Sequence, residues 1–293
     1  MRLPPKTLPR DLLRLPGWVV QLNLANRRSK CPFERIAYGD HRRQYLLVCP
    51  PEQGVPPRKQ VVVYIHGGGW QFGRPEMFRL HASLLTKLGF WVYLPSHRRI
   101  PRFHFRHIRD DLVAFMATIS KHMQTAGLHD YPLILGGSSS GGHLSALFTF
   151  HPTLYTEAGF EKNPVGALFL LGAPLHLGLM WDSPPLRCLL GSRHHEVFRE
   201  ANPIEHLERP VHLPVLIMHG EADGIVEPAN ASAFATKLQQ LNTGPTRLIW
   251  LPGGGHMAPS SWCYEHHPAY RFFLEWVEEV SKTLRPEFPT SAH

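Results

Sequence analysis

YPLILGGSSSGGHLSALF, residues 131–148, joins a short apolar run to a glycine-bracketed serine and then to a segment of helical composition. Ser139 has Gly137 two residues before it and Gly141 two residues after it, and neither neighbouring serine has both. Glycines at these positions allow a very tight strand-to-helix turn, because a Cβ atom there would collide with the adjoining strand or helix. The pattern predicts a nucleophile elbow that exposes the hydroxyl of Ser139.

A second glycine run, HGGGW at 66–70, follows the apolar segment VVVYI at 61–65. Attack of a serine on a carbonyl carbon produces an oxyanion, which needs backbone N–H donors that are already in place. We therefore predict an oxyanion hole formed by the N–H groups of Gly68, Gly69 and Ser140. A Gly-rich turn is the simpler alternative. A phosphate loop is excluded, because no Gly-Lys-Ser or Gly-Lys-Thr follows.

A serine nucleophile also needs a base and a carboxylate that orients the base. Asp223 follows LPVLIM at 213–218, and His256 follows TRLIWL at 246–251 and three glycines. Functional groups of open α/β sheets collect where the parallel strands end. We predict Ser139 as nucleophile, His256 as base and Asp223 as the acid, a chain order that is typical of the α/β-hydrolases.

Each of these assignments has rivals in the sequence. Glu221 and Glu227 flank Asp223, and either is an alternative acid. His256 is one of 20 histidines and is preferred only for its place after a strand and a glycine run. His219 precedes the acid loop, and we expect it to be a structural residue bonded to nearby backbone.

With these motifs the chain resembles the α/β-hydrolases of the hormone-sensitive-lipase-like esterase group, and it is similar to the neighbouring kynurenine formamidase and carboxylesterase branch. The resemblance runs from about Glu34 to Leu284. Where that group usually reads Tyr-Arg-Leu-Ala-Pro-Glu, residues 93–101 here read YLPSHRRIP. The elbow of the group usually carries Asp or His before the serine and Ala after it, whereas Ser138 and Ser140 occupy these places here.

The resemblance implies hydrolysis of short-chain or aryl carboxylic esters through an acyl-enzyme on Ser139. Arylformamide hydrolysis of the N-formylkynurenine type is the alternative, and a catalytically dead binding protein is a third possibility. Dead relatives typically lose the serine or the histidine, and this chain has both. We expect a small-molecule ester as the partner, no cofactor and no metal, and we leave a homodimer open. Trp70 and Trp181 are bulky and are expected to bind and crowd the substrate.

Apolar runs of strand length alternate with segments of helix length along the whole chain. This alternation predicts an α/β fold in one domain, residues 1–293, with a mostly parallel central sheet and helices on both faces. Residues 173–212 break the alternation, and we expect a small cap or lid there, with a plain surface insertion as the alternative. The expected strands lie at 44–48, 61–65, 90–94, 131–135, 167–171, 213–218 and 246–251, and the expected helices at 75–88, 106–125, 141–150, 228–241 and 267–283.

The N-terminal segment 1–33 contains a candidate amphipathic helix at 12–24. Such a helix could cover the site or touch a membrane, and ordinary core packing explains it equally well. Its apolar part is too short and interrupted for a secretion signal or a membrane span, so we expect a cytoplasmic protein without an integral membrane segment.

The charge of the chain is strongly positive, with a formal net charge of +8 and a pI of about 9.5. Basic residues concentrate at 97–109, where two phenylalanines alternate with them. No nucleic-acid-binding motif accompanies this stretch, so we do not expect a nucleic-acid partner. The stretch favours anionic substrates or surfaces, and a solvated loop is the alternative. Four scattered cysteines show neither a disulfide framework nor zinc-ligand spacing.

Overall fold

One mixed sheet organises the chain in the computed structural model, which describes residues 2–29, 31–191 and 196–284. Its strands are β1 (Glu34–Ala37), β2 (Tyr45–Cys49), β3 (Val61–Ile65), β4 (Trp91–Pro95), β5 (Leu133–Ser138), β6 (Val165–Leu171), β7 (Val215–Gly220) and β8 (Thr246–Leu251). In the described part of the chain the sheet order is β1-β2-β4-β3-β5-β6-β7-β8. The strands from β3 to β8 run parallel, and β2 is antiparallel to both β1 and β4.

β3 shows how the sequence forms the centre of this sheet. All five of its side chains are buried. Val61, Val63 and Ile65 belong to one hydrophobic cluster, and Val62 and Tyr64 belong to another. Successive side chains of a strand point to opposite faces, so a strand covered on both faces reads as an uninterrupted apolar run. This is why the run was recognisable without a structure.

Helices cover both faces of the sheet. They are α1 (Leu8–Arg28), α2 (Arg79–Lys87), α3 (Phe105–Thr125), α4 (Ser140–Phe150), α5 (Leu154–Glu157), α6 (Pro184–Leu190), α7 (Glu196–Glu200), α8 (Ala229–Leu241) and α9 (Pro268–Thr283). Buried residues of α3, α4 and α8 join the first hydrophobic cluster, and those of α2 and α9 join the second. The predicted mostly parallel sheet with helices on both faces is confirmed.

α3 illustrates why these segments become helices. Its buried residues include Phe105, Ile108, Leu112, Phe115 and Ile119, which are spaced three and four residues apart. That spacing places apolar side chains on one face of a helix, where they pack on the sheet. The remaining faces carry the polar residues of the segment.

Several elements differ from the expectation: the short helices α5, α6 and α7 were not predicted, and neither were β1 and the full length of α1. β1 was not predicted, because it is short and mostly exposed and therefore lacks an apolar run. α1 extends over Leu8–Arg28 instead of 12–24 and includes Pro16 in its interior. Interior proline usually ends or kinks a helix, but Pro16 lies inside both the expected and the observed range. Within the described residues, no helix combines the length and the apolarity that crossing a bilayer requires.

The insertion at 173–212 packs on the body of the protein in its described part. Leu175, Leu177, Leu186 and Leu189 are buried in the first hydrophobic cluster. The ring of His143 in α4 hydrogen-bonds the carbonyl oxygen of Ala201 over 2.7 Å. The described part of the insertion is therefore attached to the core, and its action as a lid stays a prediction.

Gly137→Ala is expected to destabilise the protein by about 1–3 kcal/mol, because the added Cβ would overlap the carbonyl oxygen of Ile65 in β3. Gly17→Ala is the matched control: no atom lies within 4 Å of its added Cβ, and alanine is the better helix former by about 0.5–1 kcal/mol. Urea unfolding measures both changes. Equal stability of Gly137→Ala and the wild type would contradict the close packing of β3 on this turn.

Candidate active site

Ser139 lies in the turn between β5 and α4 in a strained backbone conformation, with φ of +50° and ψ of −120°. Non-glycine residues rarely adopt positive φ, so the surroundings must hold this conformation. Gly137 and Gly141 pack directly on the carbonyl oxygen of Ile65, and a Cβ atom on either would overlap it. The Ser139 N–H also donates a 2.7 Å hydrogen bond to Leu171 O in β6. The turn is thereby fixed between two strands.

Three side chains from separate loops meet at this turn. The hydroxyl of Ser139 donates to His256 Nε2 over 2.9 Å, and His256 Nδ1–H donates to Asp223 Oδ2 over 2.8 Å. Asp223 follows β7 and His256 follows β8, so both reach the site from the carboxyl ends of neighbouring parallel strands. The structure thus brings the three residues predicted as nucleophile, base and acid into one hydrogen-bonded chain.

The negative charge of Asp223 is stabilised by hydrogen bonds from backbone N–H groups. Its Oδ1 accepts 2.9 Å hydrogen bonds from the N–H groups of Ile225 and Val226. Burial alone would raise the pKa of this carboxyl, but the neighbouring charge of His256 and hydrogen bonds from His219 and His256 lower it below its ordinary value. Asp223 is therefore an anion at neutral pH.

The pKa of His256 is shifted in the opposite direction, upward. Its burial would lower the pKa of the imidazole, yet the charge of Asp223, the hydrogen bond to it and the charge of Asp11 raise that pKa above the ordinary 6.5. An imidazole with a raised pKa is a stronger base once it is neutral. The position of the two carboxylates therefore favours proton uptake by His256 Nε2.

None of the rival residues replaces a member of this hydrogen-bonded chain. The Nδ1 hydrogen bond of His256 goes to Asp223 and to neither Glu221 nor Glu227. Glu221 is exposed and accepts a 3.4 Å hydrogen bond from Gly253 N. His219 is fully buried, with its Nε2 2.9 Å from Val226 O and 3.3 Å from Asp223 Oδ2.

The HGGGW loop lies against the nucleophile turn. A Cβ atom on Gly67 would come within 2.9 Å of Ser138 O, so the two backbones approach closely. Gly68 and Gly69 have φ of +136° and +59°, values that suit glycine. Within the described residues, the backbone N–H groups of Gly68 and Gly69 donate no hydrogen bond, and that of Ser140 donates none outside α4. They are the donors that the sequence predicted for an oxyanion hole, and that role stays a proposal.

The two tryptophans predicted to bind substrate have different surroundings. Trp70 is 4% exposed, and its indole N–H donates to His143 Nδ1 over 3.3 Å. Its side chain therefore packs inside the protein beside α4. Trp181 is half-buried in the insertion. The contact of both tryptophans with substrate stays a prediction.

Several arginines of the basic stretch 97–109 bind other parts of the protein. Arg98 pairs with the buried carboxylate of Asp111 over 2.9 Å, and Arg109 pairs with Glu157 over 2.7 Å. Arg99 donates to the carbonyl oxygen of Gly73, three residues after HGGGW. Arg98 and Arg109 are therefore neutralised and Arg99 fixes a loop, which favours a structural role for these three residues, whereas Arg102 and Arg106 are exposed.

Asp11 is a residue of the site that sequence reasoning missed. This carboxylate from α1 is 5% exposed, and its Oδ2 accepts hydrogen bonds from Gly224 N over 2.7 Å and from His256 N over 3.1 Å. Arg10 beside it donates to Ala222 O over 2.6 Å. α1 therefore binds the loops that carry the acid and the histidine. The available signal was that Asp11 is the lone acidic residue of the basic segment 1–33.

The described part of the chain contains no group of side chains that could bind a metal ion. No group of three or more His, Cys, Asp or Glu side chains there could hold a metal ion.

The strand order, the nucleophile turn after β5, the acid after β7 and the histidine after β8 define an α/β-hydrolase fold with a Ser–His–Asp arrangement. A family model described as the prolyl oligopeptidase family matches residues 109–280, which is more than half of the chain. The chain belongs to this family. A second model, described as BD-FAE, matches residues 47–165.

Curated relatives are esterases of Mycobacterium tuberculosis. The chain is 28% identical to esterase LipC over 241 residues, which cover 76% of this chain and 59% of LipC. It is 24% identical to the probable carboxylic ester hydrolase LipM over 238 residues, or 75% of this chain and 55% of LipM. The chain therefore spans less than two thirds of the length of these relatives.

Solved structures agree on the fold. Esterase 2 of Thermogutta terrifontis, phosphoramylated by tabun, superposes with a TM-score of 0.68 at 23% identity, over 87% of this chain and 97% of that one. Esterase B from Lactobacillus rhamnosis superposes with a TM-score of 0.71 at 18% identity, over 94% and 95% of the two chains. The resemblance to α/β-hydrolases of the esterase type, first seen in the motifs, is confirmed.

Asp11→Asn is expected to lower the pKa of His256, because it removes one of the two negative charges that raise it. NMR titration of the His256 imidazole, assigned with His256→Gln, measures the shift. The pKa of His256 should lie above 6.5 in the wild type and fall in the variant. An unchanged pKa of His256 would show that Asp11 acts on the site only through its hydrogen bonds.

Proposed function

We propose that this protein is a serine carboxylesterase that cleaves short-chain or aryl carboxylic esters through an acyl-enzyme on Ser139. One observation carries the proposal: a chain of hydrogen bonds runs from the buried Asp223 through His256 to the hydroxyl of a serine held in a strained turn. That arrangement activates a hydroxyl as a nucleophile.

In the first half of the reaction, His256 Nε2 accepts the proton of Ser139 while Oγ attacks the ester carbonyl carbon. The carbonyl oxygen becomes an oxyanion, and the free N–H groups of Gly68, Gly69 and Ser140 are suited to stabilise it. The imidazolium formed at His256 is stabilised by the anionic Asp223. It then gives its proton to the leaving alkoxide, which departs as the alcohol and leaves the acyl group on Ser139.

In the second half, the same groups act in reverse. His256, neutral again, takes a proton from a water molecule that attacks the acyl carbon. The second tetrahedral intermediate collapses, the proton on His256 returns to Ser139 Oγ, and the carboxylic acid leaves. One water is consumed and one ester is divided into an acid and an alcohol.

The comparisons support an ester as the substrate. LipC and LipM are named as ester hydrolases, and one solved structure of Thermogutta terrifontis esterase 2 is described as butyrate-bound. Each name describes the relative that carries it, and all of them refer to esterases, which cleave an ester bond. Arylformamide hydrolysis, the alternative left open by the sequence, is not favoured by them.

The setting of the reaction is also part of the proposal. We infer a cytoplasmic protein that acts on small-molecule esters without a nucleic-acid partner. Cys31, Cys49, Cys188 and Cys263 are all free thiols, as in proteins of reducing compartments. The pairing of Arg98 and Arg109 with acidic side chains also leaves less charge for a nucleic acid.

Ser139→Ala should reduce kcat for p-nitrophenyl acetate by about 10⁴ to 10⁶, because the nucleophile is lost. Ser138→Ala is the matched control, since Ser138 Oγ hydrogen-bonds the hydroxyl of Tyr64 and does not contact His256. The control should keep most of its activity. An inactive Ser138→Ala beside an active Ser139→Ala would move the nucleophile by one residue.

Asp223→Asn should cut kcat by about 10⁴, because the amide cannot hold the imidazole in the productive tautomer or stabilise its charge. Glu227→Gln makes the same chemical change four residues away and should be close to wild type. Steady-state kinetics on p-nitrophenyl acetate compare them. A nearly normal Asp223→Asn with an inactive Glu227→Gln would identify Glu227 as the acid.

Esters with acyl chains from acetyl to about hexanoyl should be cleaved faster than esters with longer chains, because Trp181 and the packed insertion are expected to confine the acyl chain. The preference should be graded, because one methylene changes discrimination by about 1–3 kcal/mol at most. A series of p-nitrophenyl esters measures kcat/KM, with the p-nitroanilide of the preferred acid to test amide cleavage. Faster cleavage of dodecanoate than of butyrate would indicate a lipase-like groove.

A further inference from the structure

α1 has an inner face that is fastened to the body of the protein. Asp11 accepts hydrogen bonds from the acid and histidine loops, and Leu22 is fully buried. The indole N–H of Trp18 donates to Ser261 Oγ over 3.3 Å. Asn26 accepts a 2.7 Å hydrogen bond from Leu80 N. These residues recur at helical spacing, so one side of α1 is committed to the fold along its whole length.

These contacts also locate the helix. Gly224 follows β7, Ser261 lies after β8, and Leu80 lies at the start of α2 after β3. All three partners therefore come after the carboxyl ends of parallel strands. α1 lies along the edge of the sheet that carries Ser139, Asp223 and His256.

The opposite side of α1 is apolar and exposed. Leu12, Leu13, Val20 and Leu24 are 52%, 82%, 58% and 52% exposed. Leu13, Val20 and Leu24 form one stripe, because residues seven and eleven apart lie on the same side of a helix. A soluble surface rarely leaves several large aliphatic side chains together in water, and such patches mark contact surfaces. We call these four residues the outer face of α1.

The exposed charged side chains of α1 are positive. Arg14 and Arg27 are exposed on α1, and neither pairs with an acidic side chain of the described residues. The one acid of α1, Asp11, is buried and engaged by backbone N–H groups. A further exposed aromatic ring, Phe72 at 65%, lies beside Arg74 after the HGGGW loop. Cationic and apolar side chains thus occur together on this edge.

We propose that the outer face of α1 docks on an anionic lipid bilayer and brings the catalytic edge of the sheet to the membrane surface. Aliphatic side chains enter the boundary between headgroups and acyl chains, and flanking arginines pair with anionic headgroups. A second copy of the chain fits less well, because two such faces would bring unpaired positive charges together. The docking concerns binding alone and does not depend on the proposed esterase activity.

Co-sedimentation with vesicles tests the docking on the full chain. The wild type should bind vesicles of phosphatidylcholine mixed with phosphatidylglycerol, should not bind pure phosphatidylcholine, and should be released as salt rises. The triple variant Leu13→Glu/Val20→Glu/Leu24→Glu and the double variant Arg14→Gln/Arg27→Gln should each bind at least about tenfold more weakly. Phe272→Glu on α9, which changes another exposed apolar side chain, is the matched control and should bind like the wild type.

The fold of each variant is checked by its thermal unfolding and by hydrolysis of soluble p-nitrophenyl acetate, both of which should match the wild type. Undiminished vesicle binding by a folded triple variant would overturn the proposal. So would light scattering that shows a wild-type dimer and a monomeric triple variant, because the face would then join two copies. A wild type that binds vesicles while Ser139→Ala keeps full activity would contradict the esterase assignment and leave the docking intact.

Discussion

The contact of two glycines with one carbonyl oxygen supports the rest of the site. Gly137 and Gly141 both lie against Ile65 O, so β3 and the nucleophile turn are packed backbone to backbone. This contact fixes Ser139 at positive φ. It also places the HGGGW loop, which continues from Ile65, directly beside the serine. One backbone contact thus holds both Ser139, the proposed nucleophile, and the glycine N–H groups proposed to bind the oxyanion, and larger side chains at Gly137 or Gly141 would separate them.

Electrostatics then set the protonation states around that junction. The charge of Asp223 is stabilised by two backbone N–H groups, and it faces the imidazole of His256. Asp11 adds a second carboxylate from the far end of the chain, bound to the backbone N–H of the same histidine. Two anions around one buried imidazole offset the cost of burying its charged form. In the proposed reaction this lowers the barrier to proton transfer from Ser139.

Short sequence patterns were sufficient to predict the three residues of the hydrogen-bonded chain. Ser139, Asp223 and His256 each follow an apolar run and lie near glycines, and those features depend only on neighbouring residues. Asp11 could not be found in this way, because its partners Gly224 and His256 are 213 and 245 residues away. The burial of Trp70 depends on its contact with His143, which also comes from a distant segment. β1 has too few buried side chains to show a pattern.

The central claim is that Ser139 is the one nucleophile activated by His256 and Asp223. Reaction with an organophosphate, followed by intact-mass measurement and peptide mapping, tests it most directly. The account predicts one adduct per chain, located on Ser139, and no adduct in His256→Gln. An adduct on another residue, or equal labelling of His256→Gln, would contradict it.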